Sequence, residues 1–204
     1  GLYGYYDDGE RFAFFCFSVL ESLPKISLKP ELIHCHDWQT AMICTLLKTT
    51  YRQQPFYEQM RTLYTVHNLK YQGLFPKETL GELWGLNWEQ FTPDGLEFYD
   101  QLNCMKGGIV YADAVSTVSR TYSQEIQQPF YGEKLEGVLR QREPVLYGIT
   151  NGIDETRYNP VSDPSLFVNY DWTEFDDVLA RRLFAAADLL LMPSVYEPCG
   201  LSQL

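Results

Sequence analysis

Histidine and aspartate side chains follow a short apolar segment near the start of this sequence. If the segment is a strand, His34 and His36 share one face and could bind a single metal ion, with Asp37 as a further ligand. A binuclear metallohydrolase would need another Asp-His pair directly afterwards, where Trp38 and Gln39 stand instead. The alternative is structural, with His34 buried in the strand and Asp37 capping the next helix.

A third histidine, His67, directly follows the segment 61–66, which is expected to be a strand. The structural interpretation is a core histidine with its hydrogen bonds satisfied. The functional interpretation is a neutral imidazole that hydrogen-bonds a ligand hydroxyl. The sequence carries no nucleophile elbow, dinucleotide fingerprint or phosphate-binding loop that would favour another chemistry.

A carboxylate near the end of the sequence has a comparable position. Glu197 lies on an expected turn between the apolar run 189–192 and a helix that opens near Gly200. In open α/β sheets, ligands bind between the carboxyl end of a strand and the start of a helix, and the free N–H groups of that helix can bind a diphosphate. The alternative is a surface glutamate on a loop.

Apolar periodicity and turn residues predict alternating strands and helices. The expected strands are 30–35, 61–66, 114–118, 144–149 and 189–192. The expected helices are 11–23, 39–50, 96–111, 120–127 and 175–187, with a turn at 36–38, a loop at 70–76 and irregular chain at 82–94. Gly107 and Gly108 permit close packing of their helix. This alternation predicts a doubly wound parallel sheet.

The polar residues of interest follow the expected strands, so they should collect on one rim of the sheet. They are His36, Asp37, His67, Asn68, Ser119, Asn151 and Glu197. This clustering is a stronger signal of a site than any single motif.

The composition of the sequence argues against some classes of binding partner. The formal net charge of −11 argues against nucleic acid or an anionic membrane as the main partner. The longest apolar run is too short to span a bilayer. The five scattered cysteines form no C-x-x-C pair and indicate reduced thiols in a cytoplasmic protein, or a plastid protein if the source is a plant.

Five stretches together resemble the bacterial glycogen synthases and plant starch synthases, the retaining glucosyltransferases of glycosyltransferase family 5. They include His-Cys-His-Asp-Trp-Gln, Thr-Val-His-Asn-Leu-Lys-Tyr-Gln-Gly and Glu-Pro-Cys-Gly-Leu-Ser-Gln. The stretches lie at 34–41, 64–73, 111–119, 148–154 and 192–204. Their order makes the set specific, although each stretch alone is modest evidence.

The resemblance implies a GT-B fold, in which two Rossmann-like domains enclose the site. It implies an amino-terminal domain over 1–168 that lacks its first motif, and a partial carboxyl-terminal domain over 169–204. The implied activity is transfer of glucose from ADP-glucose to the non-reducing end of an α-1,4-glucan, with retention of configuration. Nucleotide sugar and glucan are the implied partners, and no metal or other cofactor is expected.

The resemblance also implies roles for individual residues. His67 would contact the donor glucose, with Asn68 beside it, Asp37 would lie near the sugar and acceptor, and Asn151 would lie at the cleft. Glu197 would hold sugar hydroxyls. Backbone N–H groups of Cys199, Gly200 and Leu201 would face the donor.

Parts of the family pattern have no counterpart. The Lys-Thr-Gly-Gly loop would precede Gly1, and the Arg and Lys that neutralise the diphosphate would follow Asp171. These absences predict little or no transferase activity for the 204-residue chain alone. A non-catalytic glucan- or nucleotide-binding remnant and, less favoured, the metallohydrolase stay as alternatives.

Overall fold

The computed structural model describes residues 3–154, 156, 159–166 and 169. The chain divides into two compact units, residues 1–150 and residues 151–204. The division into domains at 168/169 stays a prediction, and the expected helix 175–187 and strand 189–192 lie outside the described residues.

Helices and strands alternate along much of the first unit. In chain order they are α1 (Asp8–Ser22), β1 (Leu32–His36), α2 (Asp37–Lys48), β2 (Arg61–Val66), β3 (Leu74–Pro76), α3 (Thr79–Glu82), β4 (Glu97–Phe98), β5 (Gln101–Asn103), α4 (Cys104–Tyr111), β6 (Ala114–Thr117), α5 (Arg120–Glu125), α6 (Glu136–Gln141) and β7 (Leu146–Gly148). Short 3-10 helices occupy Trp88–Gln90 and Glu143–Val145. No described helix is both long and apolar enough to cross a membrane.

Four strands form a parallel sheet in the order β1-β2-β6-β7. Cys35 of β1 and Val115 of β6 both lie opposite Tyr64 of β2. This register brings the chain segments that follow β1 and β2 to the same edge of the sheet. The predicted parallel α/β sheet is confirmed.

Helices α2 and α4 pack closely within the core. Met42 and Leu46 of α2 are fully buried. A β-carbon on Gly108 of α4 would lie 2.6 Å from Cζ of Tyr64, a fully buried ring. The expected close packing at the glycine pair is therefore confirmed.

The prediction of one helix over 96–111 is wrong in its first half. Residues 97–103 form β4 and β5, which pair antiparallel, and α4 begins only at Cys104. Tyr99 and Asp100 adopt left-handed φ angles of 50° and 64°, which a helix cannot contain. Leu96, Tyr99, Leu102 and Met105 recur every three residues, which resembles a helical period, but Tyr99 is exposed while the other three are buried.

Other boundaries also differ. The predicted turn 36–38 is wrong, because α2 begins at Asp37. Strand β3 lies inside the predicted loop 70–76, and α6 occupies a segment for which no element was predicted. Strand β2 has the predicted bounds, 61–66.

The four cysteines among the described residues are buried free thiols, in agreement with the expectation of reduced cysteines. Burial raises the pKa of Cys16 to about 12. Its thiol therefore stays protonated, and unreactive toward oxidants that need a thiolate, at neutral pH.

Asp113 joins β2 to α2 through its carboxylate. It accepts hydrogen bonds from Lys48 Nζ at 2.7 Å and from the Thr62 backbone N–H at 2.8 Å, and it pairs with Arg61 at 3.3 Å. Burial alone would raise the pKa of Asp113, but the Lys48 and Thr62 hydrogen bonds outweigh it and the pKa is lowered. A carboxylate with a depressed folded-state pKa stabilises the fold above its unfolded-state pKa, and this contribution is lost as the pH falls through the folded-state pKa.

We expect Asp113→Asn to lower the free energy of unfolding by about 1.5–3 kcal/mol at pH 7, the range for hydrogen bonds to a charged group. The difference from wild type should shrink as the pH falls below about 4, where the unfolded-state carboxyl gains its proton. It should be lost once the pH has passed the lower folded-state pKa. Urea unfolding at several pH values measures both effects. Asp100→Asn is the control, since Asp100 pairs with Lys77 but its side chain is 75% exposed. A control loss as large as that of Asp113→Asn would contradict the prediction.

Candidate functional site

Asp37 is the first residue of α2 and adopts a left-handed φ of 50°. Its carboxylate Oδ1 accepts a hydrogen bond from the backbone N–H of His67 at 2.8 Å. The turn after β1 is thereby tied to the turn after β2. The structure brings Asp37 and His67 together, as their positions at the ends of neighbouring strands predicted.

Three imidazoles lie in a row at the edge of the sheet, where His34 and His36 belong to β1 and His67 directly follows β2. The ring centroids of His34 and His36 are 4.1 Å apart, and those of His36 and His67 are 5.2 Å apart. Nδ1 of His36 lies 3.0 Å from Nε2 of His67, and Nε2 of His34 lies 2.7 Å from Oγ1 of Thr65. These contacts orient the rings in fixed directions.

Partial burial lowers the pKa of His36 below its ordinary value, and the imidazoles of His34 and His67 lower it further, whereas Asp37 opposes the shift. The His36 ring is therefore neutral at pH 7. A neutral ring can accept or donate one hydrogen bond at each nitrogen, according to its tautomer.

The described residues give no support to the metallohydrolase alternative. Within the described ranges, no group of three histidine, cysteine, aspartate or glutamate side chains could hold a metal ion. His36 Nδ1 and His67 Nε2 face each other at hydrogen-bond distance, and His34 Nε2 faces the Thr65 hydroxyl. The structural alternative is wrong, because His34 is exposed rather than buried and the N-cap residue of α2 is His36 rather than Asp37.

A cavity of about 370 Å³ opens beside Asp37. Its lining residues are Tyr3, Asp37, Trp38, Gln39, Asn68 and Tyr71. The cavity thus combines one carboxylate, two amides and three aromatic rings. Aromatic faces with a few directed polar groups suit a ligand that has both apolar faces and hydroxyl groups.

Trp38 is held firmly in the cavity wall. Its ring packs edge-on against Phe12, with ring centroids 5.0 Å apart, and in a tilted arrangement against Phe75, with centroids 5.6 Å apart. Gly73 adopts a left-handed φ of 63°, and a β-carbon there would lie 2.6 Å from the Trp38 ring. Glycine at 73 is therefore required both by the backbone conformation and by the approach of the indole.

The aromatic residues of this wall were not among the predicted site residues. Trp38 directly follows Asp37, and Tyr71 lies three residues after Asn68, so proximity to the predicted site residues could have indicated both. The sequence offered no signal for Tyr3.

The remaining predicted site residues are only partly described. Asn68 lines the cavity, and its side-chain Oδ1 accepts a hydrogen bond from the Lys70 N–H at 3.0 Å. Asn151 is an exposed residue of the second unit. Glu197, Cys199, Gly200 and Leu201 lie outside the described residues, so their roles stay predictions.

Comparison with known proteins finds glycogen synthases among the relatives of this chain. The glycogen synthases of Alkaliphilus metalliredigens and Desulforamulus reducens are 39% and 55% identical to this chain over its whole length. The chain spans only 61% and 60% of the length of these curated relatives. Each alignment extends over 289 residues, whereas the chain has 204, so the relatives contain segments in the matched region that this chain lacks.

A solved structure, the catalytic domain of starch synthase IV from Arabidopsis thaliana bound to ADP and acarbose, superposes with a TM-score of 0.73 at 33% sequence identity. The match covers 94% of this chain and 40% of that chain. The predicted GT-B fold class is confirmed by this likeness together with the parallel sheet. The family model of the starch synthase catalytic domain matches residues 1–141, more than half of the sequence, and the chain therefore belongs to the starch synthase catalytic domain family.

Proposed function

We propose that the protein at its natural length transfers glucose from ADP-glucose to the non-reducing end of an α-1,4-glucan, with retention of configuration. The observation that carries the proposal is the cavity beside Asp37, whose carboxylate is bonded to the His67 backbone and whose walls are aromatic. Membership of the family and the nucleotide and oligosaccharide bound to the Arabidopsis structure support the same substrates.

The chemistry of glucosyl transfer needs what this cavity offers. When the bond between the sugar and the diphosphate breaks, positive charge develops on the sugar ring and negative charge on the leaving phosphate. The Asp37 carboxylate is suited to stabilise the sugar's charge, and directed polar groups hold the sugar in position. The leaving phosphate can itself accept the proton of the acceptor hydroxyl on the same face, so no separate general base is required.

The individual roles follow from this chemistry. We propose that His67 contacts the donor glucose, with Asn68 beside it, and that Trp38 and Tyr71 pack against the sugar rings. Glu197 would bind sugar hydroxyls, and Asn151 would contact the substrates. Backbone N–H groups of Cys199, Gly200 and Leu201 would bind the donor. No metal is proposed, and the reduced cysteines support a cytoplasmic location, or a plastid location in a plant.

A non-catalytic protein that binds glucan or nucleotide is the second candidate. The observation that favours it is the length of the alignments, because this chain lacks segments that its relatives contain. Some of the groups needed to neutralise the diphosphate would be lost if those segments carry them, while the cavity beside Asp37 would persist.

The test is an assay of ADP release and of glucose incorporation. We expect the natural-length protein to release ADP from ADP-glucose only when glycogen is present, and the 204-residue chain alone to show little or no turnover. Calorimetric titration with maltoheptaose and with ADP measures binding, and comparison of binding with turnover separates the two candidates. Binding without turnover at natural length would favour the non-catalytic candidate, and substantial turnover by the chain alone would contradict the expectation of an incomplete site.

A further inference from the structure

His36 hydrogen-bonds the ring of His67 without lining the cavity. Its Nδ1 lies 3.0 Å from His67 Nε2, and among the described residues no other side chain bonds the His67 ring. The proton between these nitrogens belongs to one ring or the other. Its position fixes the tautomer of His67, and with it the character of Nδ1, the nitrogen left for a ligand.

The His36 ring is itself held in place. The backbone N–H of His36 donates to Thr40 Oγ1 at 2.6 Å, and that hydroxyl donates to the His36 carbonyl at 2.8 Å. The ring lies against His34, which is bonded to Thr65. His36 is therefore a fixed partner for His67 rather than a mobile surface side chain.

We propose that His36 is a positioning residue that accepts a hydrogen bond from Nε2–H of His67 and so leaves His67 Nδ1 unprotonated, ready to accept a hydrogen bond from a sugar hydroxyl. This assignment rests on the proposed function, in which His67 contacts the donor sugar. Neutral imidazole side chains favour the Nε2–H tautomer, and only this direction of the hydrogen bond gives both rings that tautomer. The opposite direction would place both in the less favoured Nδ1–H form.

The tautomer can be measured without any substrate. The chain has only three histidines, so labelling with ¹⁵N at histidine gives a ring spectrum that single variants can assign. We expect the His67 Nε2 resonance of the wild-type chain to be that of a protonated nitrogen, with a scalar coupling to His36 Nδ1 across the hydrogen bond. A His67 ring protonated at Nδ1 would overturn the proposal.

Variants separate positioning from packing. His36→Phe keeps a flat ring against His34 but removes the acceptor, whereas His36→Asn places an amide oxygen near the position of Nδ1. We expect His36→Phe to leave His67 as a mixture of tautomers and to lower kcat/KM of the natural-length protein by about tenfold, the value of one hydrogen bond. His36→Asn should restore the Nε2–H tautomer of His67 and bring kcat/KM to within about threefold of wild type, since its oxygen also accepts one hydrogen bond.

His34→Phe is the matched control, because it makes the same change two residues earlier on the same face of β1 without touching His67. It should leave the His67 ring resonances unchanged. If His36→Phe also leaves them unchanged, or if His36→Asn fails to restore the wild-type spectrum in a folded chain, the positioning role is wrong. If the natural-length protein has no transferase activity, the proposed function fails and the spectra alone decide the assignment of His36.

Discussion

Gly108→Ala should lower the free energy of unfolding by about 1–3 kcal/mol, the usual cost of overpacking a core. The new methyl group would lie 2.6 Å from Cζ of Tyr64. The Tyr64 ring belongs to β2 and is fully buried, so the ring or the helix must shift within the core to admit the methyl group. This strain should exceed the gain of about 1 kcal/mol that alanine brings to a helix interior in place of glycine.

Gly137→Ala provides a matched control for this effect. Gly137 lies in α6, and a β-carbon there would meet no atom within 4 Å. The same substitution should therefore raise stability, by up to about 1 kcal/mol from helix propensity alone. Urea unfolding of the two variants measures the contrast, and a stabilised Gly108→Ala variant would show that α4 does not press on Tyr64 as described.

The sequence predicted well those parts of the fold that have a single local cause. Segment 61–66 is rich in residues that favour strands and is followed by the polar His67 and Asn68, and it forms a strand with the predicted bounds because its burial on the sheet agrees with its propensity. The meeting of Asp37 and His67 was predictable from topology alone, since parallel strands end at one edge. Neither prediction needed any knowledge of side-chain packing.

The remaining features depend on tertiary contacts that no local pattern records. Leu96, Tyr99 and Leu102 recur every three residues as in a helix, but the left-handed Tyr99 and Asp100 reverse the chain between β4 and β5, so that Leu96 and Leu102 are buried and Tyr99 is exposed. The packing of Trp38 in the cavity wall also depends on a distant residue, although its position next to Asp37 is a local signal. Gly73, far along the sequence, lets the chain approach the indole closely.

Asp37→Asn should lower kcat of the natural-length protein by about 10²–10³-fold, the usual cost of removing one preorganised electrostatic contact to a transition state. The substitution removes the negative charge that would face the developing positive charge on the sugar. It should preserve the local fold for two reasons. Asparagine tolerates the left-handed φ of 50° at this position, and its Oδ1 can still accept the hydrogen bond from the His67 N–H.

Asp100→Asn controls for the loss of one charge at a left-handed aspartate. Asp100 has a φ of 64°, is exposed and does not line the cavity, so its variant should keep the wild-type kcat. Initial rates of ADP release at saturating ADP-glucose and glycogen, with unfolding curves for each variant, make the comparison. If Asp37→Asn lowers kcat by less than about threefold, the effect is smaller than that of losing one hydrogen bond. The carboxylate would then serve only to hold the turn at His67 through its hydrogen bond to the backbone N–H. A large loss of kcat with an unchanged unfolding midpoint would instead place its charge in the transfer step, since a structural role would also shift that midpoint.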